Sequence, residues 1–195
     1  AAFYGRIFGW SYDEMPIGDG MVHRNAKLDD RLVAGIDPVM PGSDMPTAWT
    51  NFVFVDDIDA TWTRALELGA AAVAEPMDVM GEGHIAVLMD PQGAAFGLWQ
   101  PGRHNGADAV NQPGTYTWVE LATTDVAGAR EFYGALLGWS FAPMENDGGF
   151  DYWFAMIDGR EFAGIYPKLP EMAEMPSMWM TYFGVADIEA TAREI

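Results

Sequence analysis

The sequence has few of the residues that build several common kinds of site. Its 195 residues include no cysteine, which excludes disulfides, thiol nucleophiles and thiolate metal sites. They include three histidines, no two of which share a motif with metal-ligand spacing. No apolar run approaches the roughly 18 residues that a membrane-spanning helix needs. We therefore expect a soluble, cytoplasmic protein with no membrane partner.

Positive charge is also scarce. The chain has 10 Lys and Arg against 29 Asp and Glu, a formal net charge of −19. A surface of this sign repels phosphate backbones, because basic side chains are needed to displace the counterions of a nucleic acid. The composition therefore excludes nucleic acid as a partner, and we attribute the acidity itself to solvation of the surface.

The chain does contain a long internal repeat. FYGRIFGWSY at residues 3–12 returns as FYGALLGWSF at residues 132–141, which is 132 − 3 = 129 positions later. AKLDDRLVAGI (26–36) returns as AMIDGREFAGI (155–165), and MPTAWTNFVFVDDIDATWTRAL (45–66) returns as MPSMWMTYFGVADIEATAREI (175–195). A spacing this long indicates two copies of a whole domain and excludes a short solenoid repeat.

Each copy alternates strands and helices. In TWVELATTDVAGAREFYGALLGW, a strand predicted from Thr117 to Ala122 precedes Thr124 and Asp125, either of which can cap a helix. That helix has one apolar face and ends at Gly138. Antiparallel strands follow each helix and are joined by turns such as DD and DPQG. The unit is a strand, a helix, then two or three antiparallel strands, which predicts an α+β fold.

The repeat predicts two domains. Residues 1–100 form the first and residues 116–195 the second, while residues 101–115, rich in Gly, Pro and Asn, form a linker. Residues 116–123 supply a strand before the second FYG helix, whereas nothing precedes the first. The chain also ends inside a helix whose counterpart continues into further strands. We therefore expect the sequence to be truncated at both ends.

Three phrases resemble the vicinal oxygen chelate superfamily, which includes glyoxalases, bleomycin-resistance proteins and extradiol dioxygenases. They are TTDVAGAREFYGALLGW, VDDIDATWTRALELGA and MDPQGAAFGLW, and their order and duplication carry the resemblance. The segment GLWQPGRHNGADAVNQPGTYTWVEL also resembles a double-domain actinobacterial subfamily described as glyoxalase-like or as hydroxylases. The resemblance implies tandem domains built of paired βαβββ modules, whose sheets curl around an open cavity.

The resemblance also implies where a metal ion would be held. In metal-using relatives, side chains on the first and last strands of the modules bind one divalent ion, which acts as a Lewis acid. The last-strand ligand is a glutamate four residues after the glycine of the DPxG turn, a position that here is Gly97. The first-strand ligand is His, Gln or Glu, and Glu120 in TWVEL is the candidate. We therefore assign no metal-ligand set and no cofactor, with a divalent metal as the alternative.

Aromatic side chains on predicted strands offer a different kind of site, because aromatic walls suit a flat or hydrophobic ligand. Strand alternation gives as candidate ligand-binding residues Trp49, Asn51, His84, Trp99, Trp118, Trp179 and Thr181. Glu120 is the candidate catalytic residue, as a base or ligand, although it can equally be an acceptor at the rim. For the tryptophans and for His84, packing in the core or at a strand edge is the competing interpretation.

Three hypotheses about function follow. The favoured one is a metal-independent protein of the bleomycin-resistance type, which binds a small aromatic or amphipathic metabolite in a sheet-lined cavity. The alternative is a metal-dependent lyase or isomerase of glyoxalase type, or an oxygenase or hydroxylase. The third is an interaction module whose cavity has collapsed. Because two domains in one chain can do what single-domain relatives do by dimerising, both a monomer and a homodimer are compatible with the sequence.

Overall fold

The computed structural model has an α+β fold, as predicted. It describes residues 1–39, 47–145 and 148–195. In these residues it has four α-helices, a short 3-10 helix and twelve β-strands in three sheets. None of the helices in this part of the chain is both long and apolar enough to cross a membrane.

The four α-helices begin and end close to the predicted positions. They are α1 (Ala2–Phe8), α2 (Ile58–Glu67), α3 (Val126–Leu137) and α4 (Ile188–Glu194). Asp125 caps α3, because its Oδ1 accepts a hydrogen bond of 2.9 Å from the backbone N of Gly128. Asp57 caps α2 in the same way. Helix α3 ends at Gly138, whose φ of 71° lies in the left-handed region that favours glycine.

The strands form sheets of three, four and five members. In chain order the strands are β1 (Ser11–Gly18), β2 (Met21–Leu28), β3 (Arg31–Ile36), β4 (Phe52–Phe54), β5 (Ala71–Asp78), β6 (Gly83–Met89), β7 (Ala95–Pro101), β8 (Tyr116–Thr123), β9 (Ser140–Pro143), β10 (Trp153–Ile157), β11 (Arg160–Pro167) and β12 (Met178–Phe183). The three sheets have the orders β1-β2-β3, β4-β7-β6-β5 and β12-β8-β11-β10-β9.

Two stretches of the chain show the predicted βαβββ module in full. In one, β4 is followed by α2 and three antiparallel strands, and the last of these, β7, returns to lie parallel to β4. In the other, β8 is followed by α3 and three more strands, and β11 lies parallel to β8. The first and last strands of a module are therefore neighbours, which brings their side chains together on one face of the sheet.

Two turns show why these strands pair as they do. Asp29 and Asp30 join β2 to β3 with φ values of 50° and 62°, as a two-residue hairpin with two left-handed residues requires. In the DPQG turn between β6 and β7, the buried Asp90 accepts hydrogen bonds at its Oδ1 from the backbone N atoms of Gln92 at 3.0 Å and Ala94 at 2.8 Å. The side chain of Asp90 thus fixes the turn.

The chain falls into two compact units. Unit 1 comprises Ala1–Ala48, Asn105–Trp118 and Tyr182–Ile195, and unit 2 comprises Trp49–His104 and Val119–Thr181. This division follows packing, whereas the domains at 1–100 and 116–195 follow the repeat, so that domain assignment stays a prediction.

In unit 1, part of the predicted linker is held by backbone and side-chain contacts. The buried Trp10 donates a hydrogen bond of 2.7 Å from Nε1 to the carbonyl oxygen of Gly114. Asp108 exchanges two hydrogen bonds with the backbone of Leu32, at 2.7 and 3.0 Å. The glycine-rich and proline-rich composition of this segment therefore does not prevent it from packing on the strands of unit 1.

In unit 2, helices α2 and α3 cover one face of their sheets. The side chains buried there are apolar apart from a few polar groups, and the largest fully buried ones are Tyr133, Phe96, Leu88, Leu98, Leu121 and Ile165. Alternation along each strand places these residues on the helix side. The other face of each sheet carries the side chains considered next.

Candidate functional site

A glycine recurs at one position of the last strand in each module. Gly35, Gly97 and Gly164 lie on β3, β7 and β11, and Gly164 is the repeat counterpart of Gly35 because 164 − 35 = 129. A side chain at any of these positions would meet a ring, since His23, Phe52 and Tyr152 lie over the three glycines in that order. The three modules thus share a glycine covered by a neighbouring ring.

The strand pairing identifies the first-strand residue that belongs with each glycine. Phe52 on β4 is the register partner of Gly97, and Glu120 on β8 is the register partner of Gly164. The repeat counterpart of Phe52 is Tyr182, because 182 − 52 = 130. Alternation along the sequence predicted Asn51 and Thr181 as the first-strand residues of this site. Each of them precedes the residue found there, Phe52 or its counterpart Tyr182, by one position. Glu120, in contrast, lies where the sequence predicts it.

These residues do not fit a divalent metal ion. The last-strand positions are glycines with no donor atom, and the Phe52 ring fills the space that a side chain at Gly97 would need. Of the first-strand residues Phe52, Glu120 and Tyr182, only Glu120 has a carboxylate. Within residues 1–39, 47–145 and 148–195, no group of three or more His, Asp or Glu side chains is arranged to hold a metal. We therefore derive no metal chemistry from this part of the chain.

Glu120 lies instead among aromatic side chains, on a surface that we call the Glu120 face. Its Oε1 accepts a hydrogen bond of 2.7 Å from the hydroxyl of Tyr152. The Tyr152 ring stacks on Tyr166 with centroids 6.1 Å apart and meets Phe154 edge-on at 5.2 Å. Phe154 is also the register partner of Gly164 on β10. The Glu120 face comprises Glu120, Tyr152, Phe154, Gly164 and Tyr166.

Gly164 is what permits this arrangement. A Cβ atom at Gly164 would overlap the hydroxyl end of the Tyr152 side chain. The bare backbone therefore lets Tyr152 lie flat across β11 and reach the carboxylate of Glu120. A close approach of this kind is one of the specific reasons for glycine inside a strand.

A small apolar cluster extends the Glu120 face toward the ends of β8 and β11. Ala122, Tyr166 and Met172 are buried together, with Leu169 and Met180 packed against them. A shallow cavity of about 430 Å³ opens beside this cluster and is lined by Thr123, Thr124, Pro167, Lys168, Leu169, Pro170 and Ala173. Its volume lies in the range of small-molecule sites.

Electrostatics connect Tyr166 to the same carboxylate. Burial raises the pKa of the Tyr166 hydroxyl, and the negative charge of Glu120 raises it further. Both effects disfavour the phenolate. Tyr166 therefore stays a neutral hydrogen-bonding side chain across the physiological pH range, and Glu120 is the acidic group of the Glu120 face.

Trp179 and Thr181 lie on the opposite side of β12 from Met180, which packs on the Tyr166 cluster. Trp179 donates a hydrogen bond of 2.8 Å from Nε1 to the hydroxyl of Tyr133 on α3. Thr181 donates one of 2.9 Å from Oγ1 to Oδ1 of Asn51, its own repeat counterpart. The structure therefore brings Asn51, Thr181 and Trp179 to the helix side of the sheets and not to the Glu120 face.

The Tyr133 hydroxyl links Trp179 to the DPQG turn. It donates a hydrogen bond of 3.0 Å to Oδ2 of Asp90 while it accepts the one from Trp179. Tyr133 is fully buried, and burial with the nearby Asp90 charge raises the pKa of its hydroxyl well above the ordinary value. This chain of hydrogen bonds ties α3, β12 and the turn together, which is a structural role for Trp179.

The remaining predicted residues are dispersed. Trp49 precedes β4 and is not part of a strand, contrary to the prediction, because β4 has only three residues. His84 is exposed on β6 and pairs in register with Gln100, whose Oε1 accepts a hydrogen bond from Ile58 N at the start of α2. His84 is therefore at the edge of the helix-covered face.

Trp99 and Trp118 lie on strands, as predicted. Trp99 on β7 packs over Gly83 and donates a hydrogen bond of 3.3 Å from Nε1 to the His104 carbonyl oxygen. It belongs to the face of the four-stranded sheet that carries Phe52 and Phe54. Trp118 is half-buried on β8, two residues before Glu120.

Sequence analysis missed Tyr152, Phe154 and Tyr166, although the repeat contained a signal for them. Their counterparts 129 positions earlier are His23, Asn25 and Asp37. The comparison of the two copies shows three polar residues replaced by three aromatic ones around the same glycine. No single strand pattern indicates this, because Phe154 lies on β10, Tyr166 lies on β11 and Tyr152 directly precedes β10.

Comparison with known proteins agrees with this architecture. Residues 1–99 match the family model described as "Glyoxalase-like domain", and residues 115–150 match the one described as "Bleomycin resistance protein-like N-terminal". The chain is 38% identical over 193 residues to "Putative glyoxylase CFP32" of Mycobacterium tuberculosis, covering 97% of this chain and 73% of that protein. It is 34% identical over 207 residues to "Anthracycline biosynthesis protein DnrV" of Streptomyces peucetius, covering 99% and 74%.

Solved structures share the fold at low sequence identity. The Mn(II)-bound glyoxalase from Novosphingobium aromaticivorans matches with a TM-score of 0.65 and 14% identity, over 99% of this chain and 64% of that one. The 2,2',3-trihydroxybiphenyl 1,2-dioxygenase from Sphingomonas wittichii matches with a TM-score of 0.62 and 14% identity, over 93% and 64%. The chain thus spans about two thirds of the length of these two proteins.

Proposed function

Because this chain belongs to the glyoxalase-like family of the vicinal oxygen chelate superfamily, we propose that it binds a small aromatic or amphipathic molecule on the Glu120 face, without a metal ion. Family membership alone does not fix an activity, since one scaffold carries many chemistries. The proposal is therefore based on the residues of the Glu120 face.

The observation that carries the proposal is the covering of each shared glycine by a neighbouring ring. Where metal-using relatives have a carboxylate ligand, this chain has glycines covered by rings. At Gly164 the covering ring is Tyr152, and together with Phe154 and Tyr166 it forms an aromatic wall beside one carboxylate. Aromatic surface with one or two polar anchors is the usual composition of a small-molecule site. The relative DnrV is named for the biosynthesis of anthracyclines, which are fused-ring compounds, and this supports a flat ligand.

Ligand-dependent melting tests the proposal. We expect flat aromatic compounds to raise the melting temperature of the wild-type chain, because a ligand at about 100 times its Kd adds roughly 2.7 kcal/mol to stability. Phe154→Leu should weaken binding by about fivefold in Kd, since it removes one half-buried ring of the Glu120 face. Phe54→Leu is the matched control, because Phe54 is an exposed ring on the four-stranded sheet. Equal binding by wild type and Phe154→Leu would contradict the proposal.

One observation favours the metal-dependent alternative, a lyase, isomerase or oxygenase. Glu120 is a carboxylate at the first-strand position where metal-using relatives have a ligand. Elemental analysis of the purified protein, before and after dialysis against Mn²⁺, Fe²⁺, Ni²⁺ and Zn²⁺, tests this alternative. Near-stoichiometric metal in the wild type that is lost in Glu120→Ala would establish the alternative, whereas metal far below one per chain would support binding without metal.

A further inference from the structure

We infer that the cavity between the ends of β8 and β11 binds a small monocarboxylate through the ammonium group of Lys168. This site goes beyond the proposed function and does not depend on it, because none of the residues that line the cavity belongs to the Glu120 face. The inference rests on the way the cavity is built, on the charge of Lys168 and on the apolar character of the remaining lining.

The cavity lies between two segments that the backbone holds together. β8 ends at Thr123 and β11 ends at Pro167, and these two residues are register partners. Beyond them, the backbone N of Lys168 donates a hydrogen bond of 3.0 Å to the carbonyl oxygen of Thr123. The short 3-10 helix that follows, Pro170–Met172, borders the cavity and is anchored by its buried Met172. The walls of the cavity are therefore fixed by the fold.

Backbone carbonyl groups hold the ammonium group of Lys168 in place. Its Nζ donates hydrogen bonds of 3.0 Å to the carbonyl oxygen of Ala173 and 2.6 Å to that of Met175. An ammonium group has three N–H donors, so one remains for a ligand in the cavity that Lys168 lines. Both carbonyl groups are neutral and orient the ammonium group without cancelling its charge. A cation held in this way loses little conformational freedom when an anion binds.

The charge of Lys168 differs from that of the other lysine of the chain. Lys27 pairs with Asp13, whereas no Asp or Glu among the described residues forms an ion pair with Lys168. Glu171 and Glu174, in the neighbouring segment, are exposed and do not line the cavity. Lys168 is half-buried, so water screens its charge less than that of a fully exposed lysine. This ammonium group therefore favours an anion as the ligand of the cavity.

The first copy of the repeat shows that the fold does not require a lysine at this position. The counterpart of Lys168 is Val39, because 168 − 39 = 129, and each of the two residues directly follows a proline. Val39 is exposed. One copy thus has an apolar side chain where the other has a cation, so the architecture of the module does not by itself account for the ammonium group.

The rest of the lining indicates the class of anion. Pro167, Leu169, Pro170 and Ala173 are apolar, and Thr124 adds a hydroxyl group that can donate a hydrogen bond. A phosphate ester carries about 1.5 to 2 negative charges at pH 7, which a single ammonium group does not neutralise. The net charge of −19 repels the charge that is left. A carboxylate on a compact apolar body matches both the single cation and the apolar lining.

Three probes with the same cyclohexane ring test this inference. Cyclohexanecarboxylate is negative at pH 7, cyclohexanecarboxamide is neutral and cyclohexylmethylamine is positive. We expect the wild-type chain to bind the carboxylate at least about fivefold more tightly than the amide, because a charge-assisted hydrogen bond is stronger than a neutral one. The amine should bind most weakly. Because the ring is not aromatic, these probes do not depend on stacking at the Glu120 face.

The two lysines of the chain provide a direct measurement of where the carboxylate binds. Labelling lysine with carbon-13 at Cε gives one side-chain NMR signal for Lys27 and one for Lys168. The Lys168 signal should shift during titration with cyclohexanecarboxylate and give its Kd, while the Lys27 signal should stay in place. The Lys168→Met variant assigns the two signals, because it lacks one of them.

Three variants assign the preference for the carboxylate to Lys168, with binding followed by saturation-transfer NMR of the probes. In Lys168→Met the ratio between the Kd values of the amide and the carboxylate should fall to near one. Lys168→Arg keeps the positive charge and should keep the preference. Lys27→Met is the matched control and should give the ratio of the wild type. Melting curves establish that the variants fold, and the ranking of the three probes on the wild type needs no variant.

The outcomes separate this inference from the proposed function. Equal binding of the carboxylate and the amide by the wild type would overturn the inference, as would a shift of the Lys27 signal equal to that of Lys168. A preference that persists in Lys168→Met, or the absence of binding by the carboxylate at millimolar concentration, would also overturn it. None of these results affects the proposed function, which is tested with flat aromatic compounds and with Phe154→Leu.

Discussion

The two copies of the repeat build opposite kinds of surface around the same glycine. In the first copy, His23, Asn25 and Asp37 surround Gly35, and both ring nitrogens of His23 contact oxygen atoms, Asp37 Oδ1 at 2.7 Å and Asn25 Oδ1 at 3.0 Å. We call this the His23 face. In the second copy, each of these positions carries an aromatic residue of the Glu120 face. The backbone register is the same, since Asn25 pairs with Gly35 as Phe154 pairs with Gly164.

This difference shows which features the two copies share and which features differ between them. The strand pairing and the glycine are common to both copies, because the covering ring needs the space that the missing side chain leaves. The side chains on top of that geometry are free to differ, since they face away from the helix-covered core. A binding site in one copy therefore does not imply one in the other.

The largest effect on stability is expected from removal of the buried Tyr133 hydroxyl, which links α3 to β12 and to the DPQG turn. Tyr133→Phe removes one partner from both Trp179 Nε1 and Asp90 Oδ2, and each buried polar group left unpaired costs about 1–3 kcal/mol. We expect a loss of about 3 kcal/mol in the free energy of unfolding, measured by chemical denaturation. The counterpart change Tyr4→Phe, at a half-buried residue, should cost under about 1 kcal/mol. Similar losses at the two positions would contradict this contrast.

The second largest effect on stability is expected from substitution of Gly164, with Gly35 as its counterpart in the first copy. Gly164→Ala forces the Tyr152 side chain away, because the added methyl overlaps its hydroxyl end, and overpacking of this kind costs about 1–3 kcal/mol. At Gly35 the added methyl would lie 3.0 Å from Cε1 of His23, a smaller conflict that the gain from replacing glycine partly offsets. We expect Gly164→Ala to destabilise by about 2 kcal/mol and Gly35→Ala by less than about 0.5 kcal/mol. Thermal melts of the two variants would refute this order if Gly35→Ala lost more.

Exchanging the ring residues tests whether the two faces differ in binding. Tyr152→His gives the Glu120 face the residue of the first copy, which removes stacking surface worth about 1 kcal/mol, or roughly fivefold in Kd for an aromatic ligand. The reverse exchange, His23→Tyr, should leave that Kd unchanged. Fluorescence titration with a flat aromatic compound, such as an anthracene derivative, measures both. A gain of binding in His23→Tyr would show that the His23 face also binds the ligand.

The smallest effect is expected from pH. The hydrogen bond to Asp37 raises the pKa of His23, against the lowering effect of burial. A pKa that is higher in the folded state gives stability that is complete below the unfolded value of about 6.5 and is lost as the pH rises through the folded pKa. Asp37→Asn should therefore destabilise more at pH 5.5 than at pH 8.5, by less than about 1 kcal/mol because the pair is partly exposed.

Denaturation at the two pH values measures this difference. Asp56→Asn is the control, because Asp56 is also an exposed aspartate and its removal should show no such pH dependence. If Asp37→Asn destabilised equally at both pH values, the assignment of the His23 charge to this pair would be wrong.

Much of the fold could be predicted because its signals are local. Asp57, Asp125 and Gly138 mark helix ends through their own hydrogen bonds and backbone angles, and the spacing of 129 indicates duplication directly. The side of β8 on which Glu120 lies could be predicted for a similar reason, since its neighbours on a regular strand determine which way it faces. Strand β8 is eight residues long, which is long enough for alternation to be reliable.

The errors came from short strands and from contacts between strands. β4 has only three residues, so alternation counted from Trp49 assigned the wrong residue, and only the pairing of Phe52 with Gly97 corrects it. His84 alternates with buried residues, but the sequence does not say that α2 covers their side of the sheet. The prediction that His84 faces a cavity depends on which face of the sheet α2 covers, and only the tertiary structure gives that.

The sequence by itself determined the duplicated α+β fold, the helix ends and the side of β8 on which Glu120 lies, because these follow from spacing along the chain and from interactions between residues close in sequence. Only the tertiary structure decided that Phe52, and not Asn51, lies opposite Gly97, and that Tyr152 and Tyr166 surround Glu120. Glu120 and Tyr152 are 32 residues apart, and their contact depends on the register of β8, β10 and β11. That register is set by the packing of the whole sheet, which no short stretch of sequence contains.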